Sequence, residues 1–218
     1  IIIPTFNRSK DAISCISSVM CSTYGNIEII VIDNGSTDKT FENLKWKFKQ
    51  SEKIKLIRSE NNLGAGGGRN RGATEATGNY LLFIDSDNIV DKEMIFNLCN
   101  FFEKTNGCGM VGPLMLFKNN PEKIWLYYAD INMWSSKACY KGFGEKNKRQ
   151  YNEVIETGHL PNCFMVKRDD FEKVGGFDEK YFIMYEEADL AEKIKKKLKK
   201  KIYLFSKAIT YHDFPIDN

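Results

Sequence analysis

The 218-residue sequence has only two histidines, no closely spaced cysteines and no long apolar run. Its six cysteines are scattered along the chain without a CxxC pair. A small secreted protein held together by disulfides would show an even set of cysteines at short spacings. The scattered pattern therefore favours reduced thiols in a cytoplasmic protein. No apolar segment approaches the roughly 20 residues that cross a bilayer, and no signal-peptide pattern opens the chain.

The sequence also lacks a large excess of either charge. There are 32 Lys and Arg residues against 29 Asp and Glu residues, so the formal net charge is +3. This balance gives no reason to expect a nucleic-acid partner. No internal repeat or low-complexity linker divides the chain, and its length is most simply that of one domain with its own core.

Short β-branched apolar segments alternate with segments of helical periodicity through the first half of the chain. Strands are predicted near residues 1–4, 27–32, 53–59 and 80–85, and helices near 8–22, 40–49, 66–78 and 91–104. Ser36 and Thr37 are the predicted caps of the second helix. Strands and helices in this order predict an α/β fold with a mostly parallel sheet flanked by helices.

The second half of the chain is less regular. Residues 112–158 mix aromatic residues, including Trp125, Trp134, Tyr140 and Phe143, with polar residues and glycines. A strand, a short helix, a helix from residue 186 and a last strand near 201–205 are predicted after them. A segment of this length without clear periodicity is usually functional or mobile.

Three polar signals follow predicted strands directly. Asp33 ends the second strand, a glycine-rich segment follows the third, and the pair Asp85 and Asp87 follows the fourth. Ligands of parallel α/β sheets bind at the carboxyl ends of the strands, so all three signals are expected at one crevice. The aspartate pair suits a hard divalent cation that completes its shell with phosphate and water. The alternative is a turn in which Asp87 and Asn88 cap the next helix.

The glycine-rich segment GAGGGRNRG offers close backbone approach to a ligand at Gly66 and a positive charge at Arg69. A helix N-terminus behind it would favour an anion. It is not a dinucleotide fingerprint, which would follow the first strand rather than the third. The alternative is a flexible loop with tight helix packing.

Near the end of the chain, YEEADL places Glu186, Glu187 and Asp189 at the start of a helix. These carboxylates either stabilise the helix dipole or supply a general base to the crevice. His212 follows a strand at the same predicted edge and is a candidate metal ligand, whereas His159 has a weaker claim. Seven lysines between Lys193 and Lys201 form either a solvated helix face or a surface attracted to an anionic membrane.

Six segments resemble, in order and spacing, those of family 2 glycosyltransferases with the GT-A fold. They are IIIPTFNR, VIDNGSTDKT, NNLGAGGGRNRG, FIDSDN, VGGFDE and YEEADL. The resemblance covers essentially the whole chain and implies a single Rossmann-like domain. The glycine-rich segment is similar to that of bacterial rhamnosyl- and galactofuranosyltransferases. The QxxRW motif of processive polysaccharide synthases is absent, which implies single-sugar addition.

The resemblance implies roles for residues of the donor side. Pro4, Thr5 and Asp33 would surround the nucleotide base and ribose, and Arg69 would contact the base or the diphosphate. The nucleotide sugar would be UDP- or dTDP-linked. Residues 1–112 would form the nucleotide-sugar-binding half of the domain.

The resemblance also implies a metal site and a base. Asp85 and Asp87 match the DxD motif, which holds Mn²⁺ or Mg²⁺ on the diphosphate, and His212 matches a histidine that completes the metal shell in some members. Glu187 occupies the position of the usual base, where the family commonly has aspartate, so the choice between Glu186 and Glu187 stays open.

Residues 113–218 would form the half that carries the base and binds a saccharide or lipid-linked acceptor, with Trp125–Phe143 and GHLPNC on the acceptor side. The implied reaction is a single displacement that inverts the anomeric centre, in cell-surface polysaccharide or glycolipid assembly, with peripheral contact to the inner face of the membrane. Two alternatives remain, namely a non-catalytic nucleotide-sugar-binding domain and a sugar nucleotidyltransferase. The nucleotidyltransferase would carry its glycine- and lysine-bearing loop directly after the first strand, where this chain has PTFNRSK.

Overall fold

One ten-stranded sheet organises the part of the chain that the structure describes. The structure is a computed structural model, and it describes residues 1–132 and 137–213. The strands of the sheet are β1 Ile2–Thr5, β2 Ile29–Asp33, β3 Ile54–Arg58, β4 Tyr80–Ile84, β5 Asn88–Val90, β6 Cys108–Phe117, β7 Asn120–Leu126, β10 Val154–Glu156, β11 Cys163–Lys167 and β12 Lys201–His212. A separate hairpin pairs β8 Tyr128–Asn132 with β9 Lys137–Lys141.

Six helices accompany these strands among the described residues. They are α1 Ser9–Met20, α2 Thr40–Lys47, α3 Gly64–Thr74, α4 Met94–Lys104, α5 Arg168–Val174 and α6 Glu186–Leu198. Side chains of α1, α2 and α4 belong to one buried apolar cluster, and side chains of α5 and α6 belong to a second. The sheet therefore has a core on each face, which explains why β2 is buried along its whole length.

The strand order β10-β12-β6-β11-β4-β1-β2-β3 combines a parallel unit with a mixed one. Strands β1 to β4 are parallel, β11 runs antiparallel between β4 and β6, and β12 is parallel to β6. The ends of β1, β2, β4 and β12 thus point to one edge of the sheet. The predicted mostly parallel α/β sheet flanked by helices is confirmed.

The glycine-rich segment forms the first turns of α3 rather than a loop in front of it. A Cβ on Gly72 would lie 2.4 Å from Cγ2 of Ile2, and one on Gly68 would lie 3.4 Å from Cβ of Pro4. The glycines therefore let α3 lie directly against β1. Gly64 has a φ of +74°, and a Cβ there would meet the carbonyl oxygen of Phe182 at 2.3 Å.

Several local predictions were wrong. The caps predicted at Ser36 and Thr37 are not formed, since Lys39 precedes α2 and the Asp38 carboxylate accepts a hydrogen bond from the Thr40 amide. Asn88 begins the short strand β5 instead of capping a helix. The irregular region contains the strands β6 to β10, and the last strand continues to His212. Trp134 lies outside the described residues.

No helix among residues 1–132 and 137–213 has the length and hydropathy needed to cross a bilayer. The six cysteines all lie within these residues, and no disulfide joins them.

Candidate active site

A cleft of about 510 Å³ opens at the edge of the sheet where β1, β4 and β12 end. The loop after β4 supplies the aspartate pair, the first turn of α6 supplies two glutamates, and the end of β12 supplies a histidine. The side chains that line the cleft include Arg8, Arg69, Asp85, Asp87, Trp125, Tyr140, His159, Asn162, Ile183, Met184, Tyr185, Glu186, Glu187 and His212. Residues separated by more than 100 positions in the sequence thus meet in one place.

Arg69 lies at the base of the cleft and is only 1% exposed. Its Nη2 atom is 2.6 Å from Oδ1 of Asp85 and 2.9 Å from Oε1 of Glu187. Its Nη1 atom donates a hydrogen bond of 2.9 Å to Oε1 of Glu186. The ring of Phe177 lies 5.5 Å from the guanidinium carbon. The predicted donor contact of Arg69 stays a prediction, and three carboxylates surround the guanidinium.

The helix α6 presents its first two residues to the cleft through an unusual backbone turn. Met184 and Tyr185, which precede it, have φ values of 73° and 70°. Residues other than glycine rarely adopt this left-handed region. Such conformations cost about 1–3 kcal/mol each and cluster at functional sites. The turn is anchored where the Ala65 amide donates to the carbonyl of Phe182 at 2.9 Å.

The two glutamates differ in their surroundings. Burial, and then the charge of Glu187, raise the pKa of Glu186 to about 7, although Arg69 opposes both effects. The Glu186 side chain is 3% exposed, whereas that of Glu187 is 10% exposed. The amide of Asn162 also points at Oε1 of Glu187 from 3.5 Å. Glu187 is thus the more accessible of the two carboxylates.

The aspartate pair faces His212 and Arg8. Nε2 of His212 is 3.6 Å from Oδ1 of Asp87, and Nη1 of Arg8 is 3.0 Å from Oδ2 of Asp87. Burial, and then the charge of Asp85, raise the pKa of Asp87 to about 6. Burial lowers the pKa of His212, which favours the neutral form that binds metals.

These residues fit a divalent cation that relies on its ligand for part of its shell. In the described part of the chain, no three His, Cys, Asp or Glu side chains converge closely enough to hold a metal alone. The oxygen Oδ1 of Asp85 is bound to Arg69. Mg²⁺ in nucleotide sites needs only one or two carboxylates, with phosphate and water completing its shell. The crowded negative charge at Asp87, with a neutral imidazole beside it, suits such an ion.

The ends of β1 and β2 form a second group of buried polar atoms. Both carboxylate oxygens of Asp33 and Oγ1 of Thr5 are buried and make no hydrogen bond within the described residues. Nε of Arg58 is the nearest cation, 3.4 Å from Oδ2 of Asp33. Asp33 is 0% exposed and Thr5 3% exposed, and neither lines the cleft, so their predicted contact with a nucleotide stays a prediction.

Other predicted residues lie apart from the cleft. Asp189 pairs with Lys193 at 2.7 Å and is not among the cleft residues. Gly66 approaches protein atoms, since a Cβ there would lie 3.3 Å from Cβ of Phe177 and 3.6 Å from Cβ of Glu186. Its role in donor binding stays a prediction. His159 does line the cleft, and burial lowers its pKa to about 4.

Sequence reasoning missed Arg8 and the apolar wall formed by Ile183, Met184 and Tyr185, whereas Asn162 lies within the predicted GHLPNC segment. Arg8 follows the first strand within PTFNR, so its position after a strand end was an available signal. The apolar run before the glutamates was visible as YFIMY, but nothing in the sequence places it at a cleft.

Residues 1–175 match the family model described as glycosyl transferase family 2. The chain belongs to glycosyl transferase family 2. This family 2 chain is 24% identical over 174 residues to glycosyltransferase GlyG of Streptococcus pneumoniae, a match that covers 80% of the chain and 58% of GlyG. It is 25% identical over 222 residues to the amylovoran biosynthesis glycosyltransferase AmsB of Erwinia amylovora, a match that covers 97% of the chain and 68% of AmsB.

Solved structures of GT-A glycosyltransferases share the fold of this family 2 chain. The crystal structure of GalNAc-T7 with UDP, GalNAc and Mn²⁺ matches with a TM-score of 0.83 at 21% identity, over 99% of the chain and 44% of that structure. The predicted GT-A fold is therefore confirmed. The chain spans 44% to 68% of the lengths of these three proteins.

Proposed function

We propose that the chain is an inverting glycosyltransferase that moves a sugar from a nucleotide-diphosphate sugar to a hydroxyl of an acceptor. One observation carries this proposal. The aspartate pair of residues 1–112 and the glutamate pair of residues 113–218 line the same cleft. Transfer needs a stabilised diphosphate on one side of the sugar and a base on the other, and these two pairs supply both.

Residues 1–112 form the donor half in this proposal. Pro4, Thr5 and Asp33 surround the base and ribose, and the buried oxygens of Thr5 and Asp33 that make no hydrogen bond within the described residues support this placement. Arg8 neutralises diphosphate charge, because its side chain reaches Asp87 and is half exposed to the cleft. A UDP- or dTDP-linked donor is the proposed class.

Asp85, Asp87 and His212 would hold Mn²⁺ or Mg²⁺, the ion that suits their oxygen and imidazole ligands. When bound, the ion would neutralise the charge that develops on the leaving diphosphate. The chain's own contribution is to keep Asp87 and His212 within 3.6 Å of each other at the strand ends. GalNAc-T7, which shares the fold, is described with UDP and Mn²⁺, and this supports the proposal.

Glu187 is the proposed base. It has the more exposed carboxylate of the pair, and it faces Asn162 at the cleft wall. A proton from the acceptor hydroxyl would move to an Oε atom of Glu187 as the hydroxyl oxygen attacks the anomeric carbon. Attack opposite the leaving diphosphate inverts that centre. Glu186 is the second choice, and Asp189 the third, because Asp189 is paired with Lys193.

Residues 113–218 also form the proposed acceptor side. Trp125 and Tyr140 face Ile183, Met184 and Tyr185 across the same cleft. Apolar and aromatic walls suit the faces of a saccharide or a lipid-linked saccharide. Assembly of a cell-surface polysaccharide or glycolipid is the proposed context, and the name of AmsB supports it.

Peripheral contact of a cytoplasmic protein with an anionic membrane would rely on the seven lysines near α6. Five of the seven lysines near α6, namely Lys193, Lys195, Lys196, Lys200 and Lys201, form ion pairs with acidic side chains. This pairing reduces the positive charge that would attract an anionic leaflet.

A thermal-shift panel tests donor binding. UDP, dTDP, GDP and CDP are each measured with Mn²⁺ and with EDTA. A ligand at 100 times its Kd adds about 2.7 kcal/mol, which for this size is a rise of roughly 5–10 °C. A rise for one nucleotide only with Mn²⁺ is expected. The absence of a rise with every nucleotide contradicts the donor site.

Turnover separates an enzyme from a non-catalytic binding domain. Glu187→Gln should bind the nucleotide like the wild type but lose transfer about 100-fold or more, because the amide cannot accept the proton. Glu186→Gln is the matched comparison. Normal turnover by Glu187→Gln would move the base to Glu186 or Asp189, and a wild type that binds donor without product would be a binding domain.

A further inference from the structure

One buried guanidinium connects the two sides of the cleft. A single nitrogen of Arg69, Nη2, lies 2.6 Å from Asp85 and 2.9 Å from Glu187. Asp85 follows β4, whereas Glu187 is the second residue of α6, about 100 residues later in the chain. The two carboxylates that the proposed reaction uses on opposite sides of the sugar therefore share one cationic partner.

The surroundings of Arg69 hold it in one orientation. Glu186 accepts a hydrogen bond from Nη1, and the ring of Phe177 lies against the guanidinium. The missing Cβ of Gly66 leaves the space in which Phe177 and Glu186 approach α3. A planar guanidinium with several donors suits three carboxylates at once, which a lysine ammonium does not.

A second link runs parallel to the first. The amide of Asp85 donates to the carbonyl of Asn162 at 2.9 Å, and the amide of Asn162 points at Glu187 from 3.5 Å. The backbone of Asn162 has a φ of 64° at this connection. The backbone connection fixes where the two elements meet, and the Arg69 side chain contacts both carboxylates.

We infer that Arg69 is a positioning residue that sets Glu187 relative to Asp85, rather than a direct ligand of the donor. This inference rests on the proposed function. Without the guanidinium, three carboxylates would face one another in a buried site and would repel. Both terminal nitrogens of Arg69 contact carboxylates, and the side chain is only 1% exposed, although its Nε is buried without a hydrogen-bond partner among the described residues.

The kinetic test compares Arg69→Lys with Arg71→Lys. Arg71 lies on the same helix but is exposed and pairs with Glu75. A misplaced base costs about 100-fold, so kcat of Arg69→Lys should fall by about that factor. Its Kd for the nucleotide with Mn²⁺, measured by calorimetry, should stay within about 3-fold of the wild type. Arg71→Lys should change neither quantity.

Two kinetic results would overturn the inference. Unchanged kcat in Arg69→Lys would show that the fork geometry of the guanidinium is not needed. A Kd weakened about tenfold or more with kcat retained would make Arg69 a donor ligand instead.

A double-mutant cycle of unfolding temperatures tests the pairing of Arg69 with Asp85 and Glu187 without any substrate. In the wild type, Asp85→Asn and Glu187→Gln each remove a partner of Arg69 and should lower the unfolding temperature. In the Arg69→Met background the same two substitutions relieve repulsion and should raise it. The same sign in both backgrounds would overturn the inference.

The cycle also covers a variant that fails to fold. If Arg69→Met alone does not fold, Arg69→Met combined with Asp85→Asn and Glu187→Gln should fold, because the repelling charges are gone. If that triple variant also fails to fold, the inferred role of Arg69 would be overturned. A wild type without turnover on any nucleotide sugar would overturn the proposed function, and the cycle would still decide the role of Arg69.

Discussion

At the scale of single residues, Asp87 has the clearest link between environment and chemistry. Its carboxylate is mostly buried beside Asp85, and the burial raises its pKa to about 6. A cation brought to this position removes both the desolvation cost and the repulsion from Asp85. Nη1 of Arg8 lies 3.0 Å from this carboxylate and partly neutralises its charge.

We expect Asp87→Ala to abolish nucleotide binding that depends on Mn²⁺ while the fold is retained. The side chain lies in the turn between β4 and β5 and is 20% exposed, so its removal should cost about 1 kcal/mol or less of stability. Calorimetric titration of the nucleotide with Mn²⁺ measures the loss. Asp169→Ala, an exposed aspartate of α5, is the matched control. Unchanged binding by Asp87→Ala would exclude Asp87 from the metal site.

Glu186 predicts a specific dependence of stability on pH. Its pKa is raised from about 4.5 to about 7, so the folded state favours the protonated form. The wild type should therefore lose stability from this group as the pH rises from about 4.5 to about 7. Glutamine cannot ionise, so the unfolding temperature of Glu186→Gln minus that of the wild type should be more positive at pH 8 than at pH 5.

The control for this pH dependence is Glu172→Gln, at an exposed position of α5. Its difference from the wild type should be the same at both pH values. A Glu186→Gln difference that is constant or reversed would mean that Arg69 keeps Glu186 ionised throughout.

Single residues also mark the limit of what the sequence predicts. The residues of the cleft that follow strands, Asp85, Asp87 and His212, were located because strand ends share one edge. The sequence did not predict the pairing of Arg69 with Asp85, Glu186 and Glu187, because this pairing depends on how α3 and α6 pack. Charge pairing over more than 100 residues has no local signal.

At the scale of elements, α3 is built to lie unusually close to the sheet. Three of its buried glycines, Gly66, Gly68 and Gly72, face protein atoms rather than open space. A glycine in a helix interior costs about 1 kcal/mol relative to alanine. The close approach brings Arg69 beneath the ends of β1 and β4, where the cleft begins.

Gly72→Ala should destabilise the protein in spite of the better helix propensity of alanine. The new Cβ would lie 2.4 Å from Cγ2 of Ile2, a fully buried residue of β1. Overpacking costs about 1–3 kcal/mol, which exceeds the helix gain of about 1 kcal/mol. Urea denaturation measures the difference. Gly25→Ala, where a Cβ meets nothing within 4 Å, should be nearly neutral. A stabilised Gly72→Ala would mean that β1 moves aside easily.

The sequence predicted best the elements whose formation depends mainly on the burial of apolar side chains. The mostly apolar strands β1, β2 and β4 are almost entirely buried, and α1 buries Ala12, Ile16 and Val19 as its periodicity predicts. The short strand β5 and the strands β7 to β10 were missed because their residues are mixed in polarity. Strand β6 was missed too, although it is buried along its whole length, because glycine and proline interrupt its apolar residues. Their pairing is decided by neighbours far along the chain, with β5 and β10 both pairing with β12.

At the scale of the whole molecule, the two predicted halves share one sheet. Strand β11 of the second half lies between β4 and β6, so neither half has a complete sheet or a complete cleft. This arrangement favours one cooperative unit over two domains joined by a hinge.

We therefore expect β2 and β12 to unfold together. Hydrogen exchange at increasing urea should give their amides the same free energy of opening, since both require global unfolding. Peptides from the hairpin β8–β9, which lies outside the main sheet, should exchange at lower urea and serve as the internal comparison. Separate opening energies for β2 and β12 would indicate two independently folding halves.

The position of β11 has a consequence for synthesis on the ribosome. Strands β1 to β4 are complete at Ile84, but the strand that covers the open side of β4 begins only at Cys163. At about 5–20 residues per second, the apolar edge of β4 waits roughly 4–16 seconds for its partner. An uncovered strand edge is a template for pairing with other chains. During this interval the nascent chain therefore carries an apolar strand edge that is prone to pair with other chains.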